Sequence, residues 1–183
     1  IAAVCLAGFT FAQDAPLWMR HSVISPDGTT IAFTYKGDIY TVPVAGGRAM
    51  QITTNPAYDT APVWSPDSKR IAFASDRMGS LDVYIVAKDG GEPRRLTTHS
   101  GSETPLAFTD AGHVLFSAGI MPSAEAVVFP SNGQFNQVYR VSVEGGRPTM
   151  ISSMPMECIS INKEGAMLYQ DKKGYEDYWR KHH

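Results

Sequence analysis

SPDGTTIAF at residues 25–33 recurs forty residues later as SPDSKRIAF at residues 65–73. In both copies a turn sequence precedes a short apolar run, with Ser capping the turn and Pro fixing φ at its second position. The run Ile-Ala-Phe is hydrophobic at consecutive positions, which is typical of a strand with both faces buried. The repeat therefore predicts a chain built from equivalent units of antiparallel strands joined by tight turns.

Further repeats surround this stretch and complete the unit. The segment DIYTV at 38–42, followed by a Gly-Gly pair, returns as DVYIV at 82–86 with its own Gly-Gly pair. A third copy runs from residue 108 to 146, and a fourth opens at residue 159. Units of 40 to 44 residues with four short strands match the blade of a β-propeller, for which about 40–50 residues is usual.

The repeat defines the predicted fold class, which is all-β. We expect propeller blades of four antiparallel strands in an incomplete ring of three blades plus the start of a fourth, forming one domain over residues 13–183. The blades are placed at about 17–54, 58–98, 102–153 and, incomplete, 157–183. Almost no helix is expected, and equivalent turns between first and second strands are predicted at Pro26, Pro66, Asp110 and Lys163. Three tyrosines recur at one strand position and are predicted to be packing residues: Tyr40, Tyr84 and Tyr139.

Composition and charge narrow the possible functions. Of the 183 residues, 43% are hydrophobic and 19% are charged, which is typical of a folded domain rather than a disordered chain. The formal net charge is -2 and no basic cluster stands out, so binding to nucleic-acid phosphates is not expected. The 16 Gly and 12 Pro residues favour many short turns over long helices.

The first twelve residues resemble part of a secretory signal peptide. They are apolar or small and carry no charge, and Thr10-Phe11-Ala12 has the pattern of a cleavage site. We therefore expect export to the periplasm or the extracellular space, and no membrane span after cleavage, because about 20 residues are needed to cross a bilayer. Cys5 lies in this run, and Cys158 is predicted to be a buried or half-buried strand thiol because Ile159 and Ile161 alternate with it.

Several motifs together resemble a known family. The Ser-Pro-Asp-Gly turn, Ile-Ala-Phe, Asp-Val-Tyr and Gly-Gly-x-x-x-x-Leu-Thr resemble the WD-like blade repeat of Tol-B and tricorn-type proteins. The sequences DTAPVW at 59–64, FASDR at 73–77 and YEDYWRKHH at 175–183 resemble the N-terminal propeller of exported bacterial tricorn-like serine peptidases. The resemblance implies that further blades, a PDZ domain and a serine peptidase core follow in the parent chain. It also implies a peptide or protein substrate.

Within this chain we find no catalytic, cofactor-binding or metal-binding constellation. Gly-x-Ser-x-Gly, Cys-x-x-Cys and His-Glu-x-x-His are all absent from the sequence. Ser160 and Lys163 have the Ser-x-x-Lys spacing, but that motif acts on a helix and here it straddles a predicted turn. His182-His183 has no third ligand in view, so solvent exposure is expected there.

Three carboxylates precede the first strands of successive blades and form a candidate acidic site at the mouth of a central channel. Asp59 and Glu103 lie five residues before the strand aromatic, and Glu157 lies four before Ile161. A ring of carboxylates there would select cationic peptide ends. The favoured alternative is structural: each carboxylate pairs with an arginine such as Arg77 or caps backbone amides between blades. The neighbours Asp76 and Arg77 are interpreted first as a turn salt bridge.

The third blade carries an insertion between its second and third strands, Met121 to Asn136. It contains the apolar run Val127, Val128 and Phe129 in what should be a surface loop. Exposed apolar runs are aggregation liabilities unless covered, so these residues are predicted to contact another domain or a peptide partner. Packing of the loop over its own blade is the alternative.

The predicted function is that of a non-catalytic propeller segment that scaffolds or gates substrate access in a secreted tricorn-like serine peptidase. The alternative is a Tol-B-like periplasmic protein-interaction module without peptidase activity. A third possibility is the propeller of a prolyl-oligopeptidase-like hydrolase. The downstream sequence discriminates among them: PDZ and peptidase domains support the first, an end after six blades the second, and Gly-x-Ser-x-Gly the third.

Overall fold

The computed structural model describes residues 18–119, 136–154, 156–162 and 164–171. Fourteen strands and no helix are found in these residues, so the all-β prediction is confirmed. The predicted signal segment, residues 121–135 of the insertion, Lys163 and the histidine pair lie outside the described residues.

The strands form four antiparallel sheets, in which strands adjacent in sequence are paired. The first sheet contains β1 (Arg20–Ile24), β2 (Thr30–Tyr35), β3 (Asp38–Pro43) and β4 (Met50–Gln51). The second contains β5 (Asp59–Trp64), β6 (Arg70–Ser75), β7 (Asp82–Ala87) and β8 (Arg94–Arg95). The third contains β9 (Glu103–Asp110), β10 (His113–Ala118), β11 (Gln137–Ser142) and β12 (Thr149–Ser152). In the fourth, β13 (Met156–Ile161) pairs with β14 (Met167–Asp171), so three complete blades and the start of another are present and the ring is incomplete.

The repeated turn is held by its own side chains. In the first sheet Ser25 Oγ donates to Asp27 Oδ1 at 2.6 Å, and the same Asp27 oxygen accepts the Thr29 N–H at 3.0 Å. The second sheet repeats both bonds, from Ser65 and Lys69 to Asp67 Oδ1, at 2.5 and 3.1 Å. Because an aspartate at this position serves both donors, the turn sequence dictates the reversal locally.

The second turn also links two sheets. Gly28 has φ +73° in the first sheet, and Ser68 adopts φ +57° at the equivalent place in the second. A left-handed backbone is unfavourable for serine. Ser68 Oγ, however, accepts the Asp27 N–H across the junction at 3.1 Å, which offsets part of this cost.

The core lies between stacked sheets, and β6 shows why its sequence is apolar at consecutive positions. Ile71 and Phe73 pack in a cluster with residues of the first sheet, such as Ile39. Ala72, on the opposite face of β6, belongs to a cluster that includes Phe116 of the third sheet. The second sheet is therefore buried on both faces, as the blade of a propeller is.

The recurrent tyrosines are packing residues, as predicted. Each stacks on the phenylalanine opposite it on the second strand of its sheet. The ring centroids are 5.8 Å apart for Phe33–Tyr40, 6.0 Å for Phe73–Tyr84 and 5.7 Å for Phe116–Tyr139. Such offset contacts contribute about 0.5–1.5 kcal/mol beyond the area they bury.

The prediction for Cys158 was wrong: its side chain is exposed on β13. The flanking Ile159 is only partly buried, and Leu168 on β14 is 75% exposed. Apolar alternation along β13 correctly indicates a strand, but burial requires a neighbouring sheet over each face. No such cover is present over Leu168 in the described residues.

Candidate functional site

Two of the three predicted carboxylates occupy equivalent positions at the starts of β5 and β9. Asp59 pairs with Ser75 and Glu103 with Ala118, the last residues of the neighbouring second strands. Both acidic residues are completely buried. Their backbone N–H groups donate to carbonyls of the preceding sheet, Asp59 to Gly37 and Glu103 to Leu81, each at 2.7 Å. The chain is thus pinned at the point where it passes from one sheet to the next.

The third predicted carboxylate, Glu157, has a different register. On β13 it is Met156 that pairs with the last residue of β14, and Glu157 pairs with Gln170. In the second sheet the same position belongs to Thr60, which follows Asp59. Glu157 is therefore offset by one strand position from the other two carboxylates.

Asp59 is neutralised by Arg77 at the junction of the first and second sheets, which we call the first junction. Arg77 Nη2 donates to both carboxylate oxygens at 3.1 Å, and Nε donates to Ser75 Oγ at 2.9 Å. The guanidinium carbon also lies 4.5 Å from the centroid of the Tyr84 ring. A buried carboxylate is tolerable when a guanidinium satisfies it in this way, and the aromatic face adds a cation–π contact.

Asp76 has a different partner from the one predicted. Its Oδ1 accepts the Tyr58 N–H at 2.7 Å, while Arg77 turns toward Asp59. The predicted salt bridge between these neighbours in sequence is therefore replaced by two contacts that both tie the turn to the start of β5.

A second acidic residue, Asp38, completes the first junction. Its carboxylate accepts hydrogen bonds from Gln51 Nε2 at 3.0 Å and Thr53 Oγ1 at 3.2 Å. Burial raises the pKa of Asp38, and the Thr53 hydrogen bond opposes that shift. Both carboxylates of the first junction thus have donors from neighbouring side chains.

The junction of the second and third sheets, the second junction, contains the equivalent acids but fewer donors. Asp82 takes the place of Asp38, and Arg95 Nη2 lies 3.0 and 2.9 Å from its two oxygens. Burial raises the pKa of Asp82, opposed by the hydrogen bond from Arg95. Thr97 Oγ1 accepts the Val83 N–H at 2.9 Å, as Thr53 does for Ile39 in the first sheet.

Glu103 is the exception at the second junction. Neither of its carboxyl oxygens makes a hydrogen bond of normal geometry with any described residue. Burial raises the pKa of Glu103 to about 7; the Thr97 hydroxyl and Arg95 oppose the shift, and the Asp82 charge adds to it. Arg95 is directed to Asp82, and its own Nε is also without a partner in the described residues.

The missing donor can be traced to one position of the repeat. Arg77 follows two residues after Ser75, the partner of Asp59. Two residues after Ala118, the partner of Glu103, the sequence has Ile120. The repeat correctly predicts the strand position of Glu103. It did not predict that Glu103 lacks a guanidinium partner, although Ile120 in place of an arginine indicates this in the sequence.

A polar cavity of about 270 Å³ borders Arg77. Residues 52–56, which follow β4, line one side, and residues 91–93, which precede β8, line another. Asp59 already neutralises the guanidinium there, so Glu92 is the charged residue of the lining that has no ion-pair partner among the described residues.

The other candidate residues from the sequence form no catalytic or metal-binding site within the described part of the chain. Ser160 is exposed on β13, so it is on a strand and not on the helix that the Ser-x-x-Lys motif requires. No cluster of three or more His, Cys, Asp or Glu residues suited to a metal ion occurs among residues 18–119, 136–154, 156–162 and 164–171. Val127, Val128 and Phe129 lie outside the described residues.

None of the described segments includes a helix with the length and apolar character needed to cross a membrane.

Comparison with known proteins identifies relatives among peptidases. A family model for the tricorn protease N-terminal β-propeller domain matches residues 16–183. Tricorn protease homolog 1 of Streptomyces coelicolor is 35% identical over 102 residues, which are 55% of this chain and 9% of that protein. The uncharacterized peptidase YuxL of Bacillus subtilis is 32% identical over 108 residues, 52% of this chain and 16% of that protein. The chain thus matches less than a fifth of either relative's length.

Solved structures support the architecture. A putative TolB from Agrobacterium tumefaciens superposes with a TM-score of 0.68 and 18% identity, over 86% of this chain and 55% of that one. At this identity the likeness shows a shared fold alone.

Proposed function

Because the chain belongs to the tricorn protease N-terminal β-propeller family, we propose that it scaffolds or gates substrate access to a serine peptidase core of the parent protein. The observation that carries this proposal is the burial of the second sheet on both faces by its neighbours. Stacked sheets of this kind form a rigid support, and variation is left to the connecting loops. A rigid support with variable loops is suited to positioning and selecting peptides.

The side of the sheets that carries the second-to-third strand connections is the proposed substrate side. These connections are short in the first sheet, between Tyr35 and Asp38, and longer in the second, between Ser75 and Asp82. In the third sheet they span the residues from Ala118 to Gln137, including Val127 and Phe129. Loops that differ in length while the strands that carry them stay the same are typical of a recognition surface.

The experiment uses the full-length protein with Val127 and Phe129 both replaced by Ser. Gating or partner contact predicts altered kcat/KM for long peptides and unchanged kcat/KM for short ones, because only long substrates extend to the propeller. Val44→Ser, at an exposed residue in the turn after β3, is the matched control and should change neither value. Unchanged cleavage of both substrates with a lowered melting temperature would contradict the contact and leave the loop as local packing.

A Tol-B-like interaction module is the second candidate, favoured by the blade motifs Ser-Pro-Asp-Gly and Asp-Val-Tyr, which resemble the Tol-B repeat. It predicts that the full-length protein cleaves no peptide and contains no peptidase core after the propeller. Peptide cleavage that is lost on treatment with a serine-directed inhibitor would exclude it.

Export is the remaining part of the proposal, and it rests on the apolar residues 1–12. Signal cleavage after Ala12 predicts a mature protein that begins at Gln13. N-terminal sequencing of the protein from the extracellular or periplasmic fraction tests this directly. A chain that retains residues 1–12 would contradict it.

A further inference from the structure

Glu103 is a buried carboxylate at the second junction that has no ion-pair partner among the described residues. Its side chain is completely buried and both carboxyl oxygens lack a hydrogen-bond partner among the described residues. At the equivalent position of the first junction, Asp59 receives a bidentate contact from the Arg77 guanidinium. The same place in the repeat is thus filled by a cation at the first junction and by no described residue at the second.

The side chains around Glu103 do not supply the missing donor. Arg95 Nη2 contacts both oxygens of Asp82, and no hydrogen bond joins the guanidinium to Glu103. The Thr97 hydroxyl is the acceptor of the Val83 N–H, and its proton and the Nε–H of Arg95 are the donors left at this junction. His99 directs its Nδ1 to the Gly101 N–H at 3.0 Å.

The loop between β10 and β11 has no basic residue in its sequence that could pair with Glu103. Residues 120–135 contain no Lys and no Arg, and their one charged residue is Glu125. An ionised carboxylate that is held away from water with no ion-pair partner costs several kcal/mol. The Thr97 hydroxyl and the Arg95 charge offset only part of the burial of Glu103, so a cation from another molecule or domain would be bound favourably here.

We propose that Glu103 and Asp82 form an acceptor site for the ammonium or guanidinium group of a basic peptide residue, placed as Arg77 is placed at Asp59. This inference rests on the proposed function, since the peptide is taken to be a substrate on its way to the peptidase core. Arg95 and His99 are the partly exposed members of the junction, so a basic group would have to reach Glu103 past them. The site selects peptides with a lysine or arginine over neutral peptides.

Binding at this site depends on pH in a defined direction. Burial raises the pKa of Glu103 to about 7, so the carboxylate is mostly protonated at pH 6 and mostly ionised at pH 8. Affinity for a cation should therefore increase about tenfold between these values, in proportion to the ionised fraction. Asp82 and Arg95 also act on Glu103, so the Glu103→Gln variant is needed to isolate the contribution of this one carboxyl.

The test compares two decapeptides that differ only in a central Arg or Gln, with the full-length protein after treatment with a serine-directed inhibitor. Fluorescence anisotropy at pH 8 should show at least tenfold tighter binding of the Arg peptide. Glu103→Gln should abolish this preference and its tenfold pH dependence. Asp89→Asn removes an exposed carboxylate in the turn after β7 and should leave both intact.

Three outcomes would overturn the site: equal affinity for the two peptides, an unchanged preference in Glu103→Gln, or a lowered melting temperature of Glu103→Gln at pH 8. The last would mean that Glu103 has an internal partner, because removing an unpaired buried charge should not destabilise the fold. A protein that binds the Arg peptide through Glu103 but cleaves no peptide would refute the proposed function and retain the site. A protein that cleaves peptides but shows no preference dependent on Glu103 would refute the site and retain the proposed function.

Discussion

Replacing Glu103 by Gln should stabilise the unliganded protein at alkaline pH. The pKa of this buried carboxyl is raised from the ordinary 4.5 to about 7 because burial disfavours its charge. At about 1.4 kcal/mol per pH unit, the ionised wild-type side chain destabilises the fold by about 3 kcal/mol. Gln fills nearly the same volume and carries no charge, so it should remove this penalty.

The sign of the pH dependence follows from the direction of the shift. A carboxyl whose pKa is raised on folding favours the native state while it is protonated. The wild type therefore has its full stability below about pH 4.5, loses it as the pH rises through about 7, and reaches a plateau near pH 8. The variant lacks this titration, so the difference between the two proteins should grow with pH.

Urea denaturation of both proteins at pH 4.5, 6, 7 and 8 measures this difference. Asp38 titrates in both proteins and cancels in the comparison, whereas Asp82 interacts with Glu103, so the measured difference includes any change in the titration of Asp82. We expect a difference near zero at pH 4.5 and about 3 kcal/mol in favour of Glu103→Gln at pH 8. A difference that is independent of pH, or one that favours the wild type at pH 8, would refute the reasoning.

Three further predictions concern the rest of the chain. Arg77→Ala should destabilise the protein by about 3–5 kcal/mol, because Asp59 is left buried without its guanidinium; thermal denaturation should show that Asp59→Asn in the same chain restores part of the loss. Asp67→Ala should cost about 1–2 kcal/mol in urea denaturation, because two turn donors lose their acceptor, whereas the exposed Asp89→Asn should cost nothing measurable. Ser160→Ala should leave peptide cleavage by the full-length protein unchanged in a kcat/KM measurement, and a loss of activity would show that the Ser-x-x-Lys motif is catalytic after all.

The two junctions illustrate how a repeat protein acquires a local difference. Their backbones are pinned by the same bond, from the N–H of Asp59 or Glu103 to a carbonyl of the preceding sheet, at 2.7 Å in both. The sequences of the two blades differ at three related positions, since the second has Asp59, Ser75 and Arg77 where the third has Glu103, Ala118 and Ile120. Differences at a few positions within a constant backbone frame thus give equivalent junctions different side-chain chemistry.

The sequence by itself determined the structure of the blade, because its turns and strand faces depend on residues that are close together in the chain. The turn at Asp67 is set by donors two residues away on either side, and the alternating faces of β6 are set by the period of two along a strand. For the same reason the repeated Phe–Tyr pairs were predictable as packing residues. The equivalence of Asp59 and Glu103 also followed from counting positions within the repeat.

Only the tertiary structure decided which partner each buried group meets. The sequence left Arg77 two possible partners, its neighbour Asp76 and a carboxylate at a strand start such as Asp59, and the pairing of β5 with β6 brings it to Asp59, eighteen residues away in the chain. Cys158 has the sequence pattern of a buried strand residue, yet it is exposed on β13. Strand periodicity fixes the direction of a side chain, whereas the paired strand and the neighbouring sheet decide whether that side chain meets a cation, an apolar core or water.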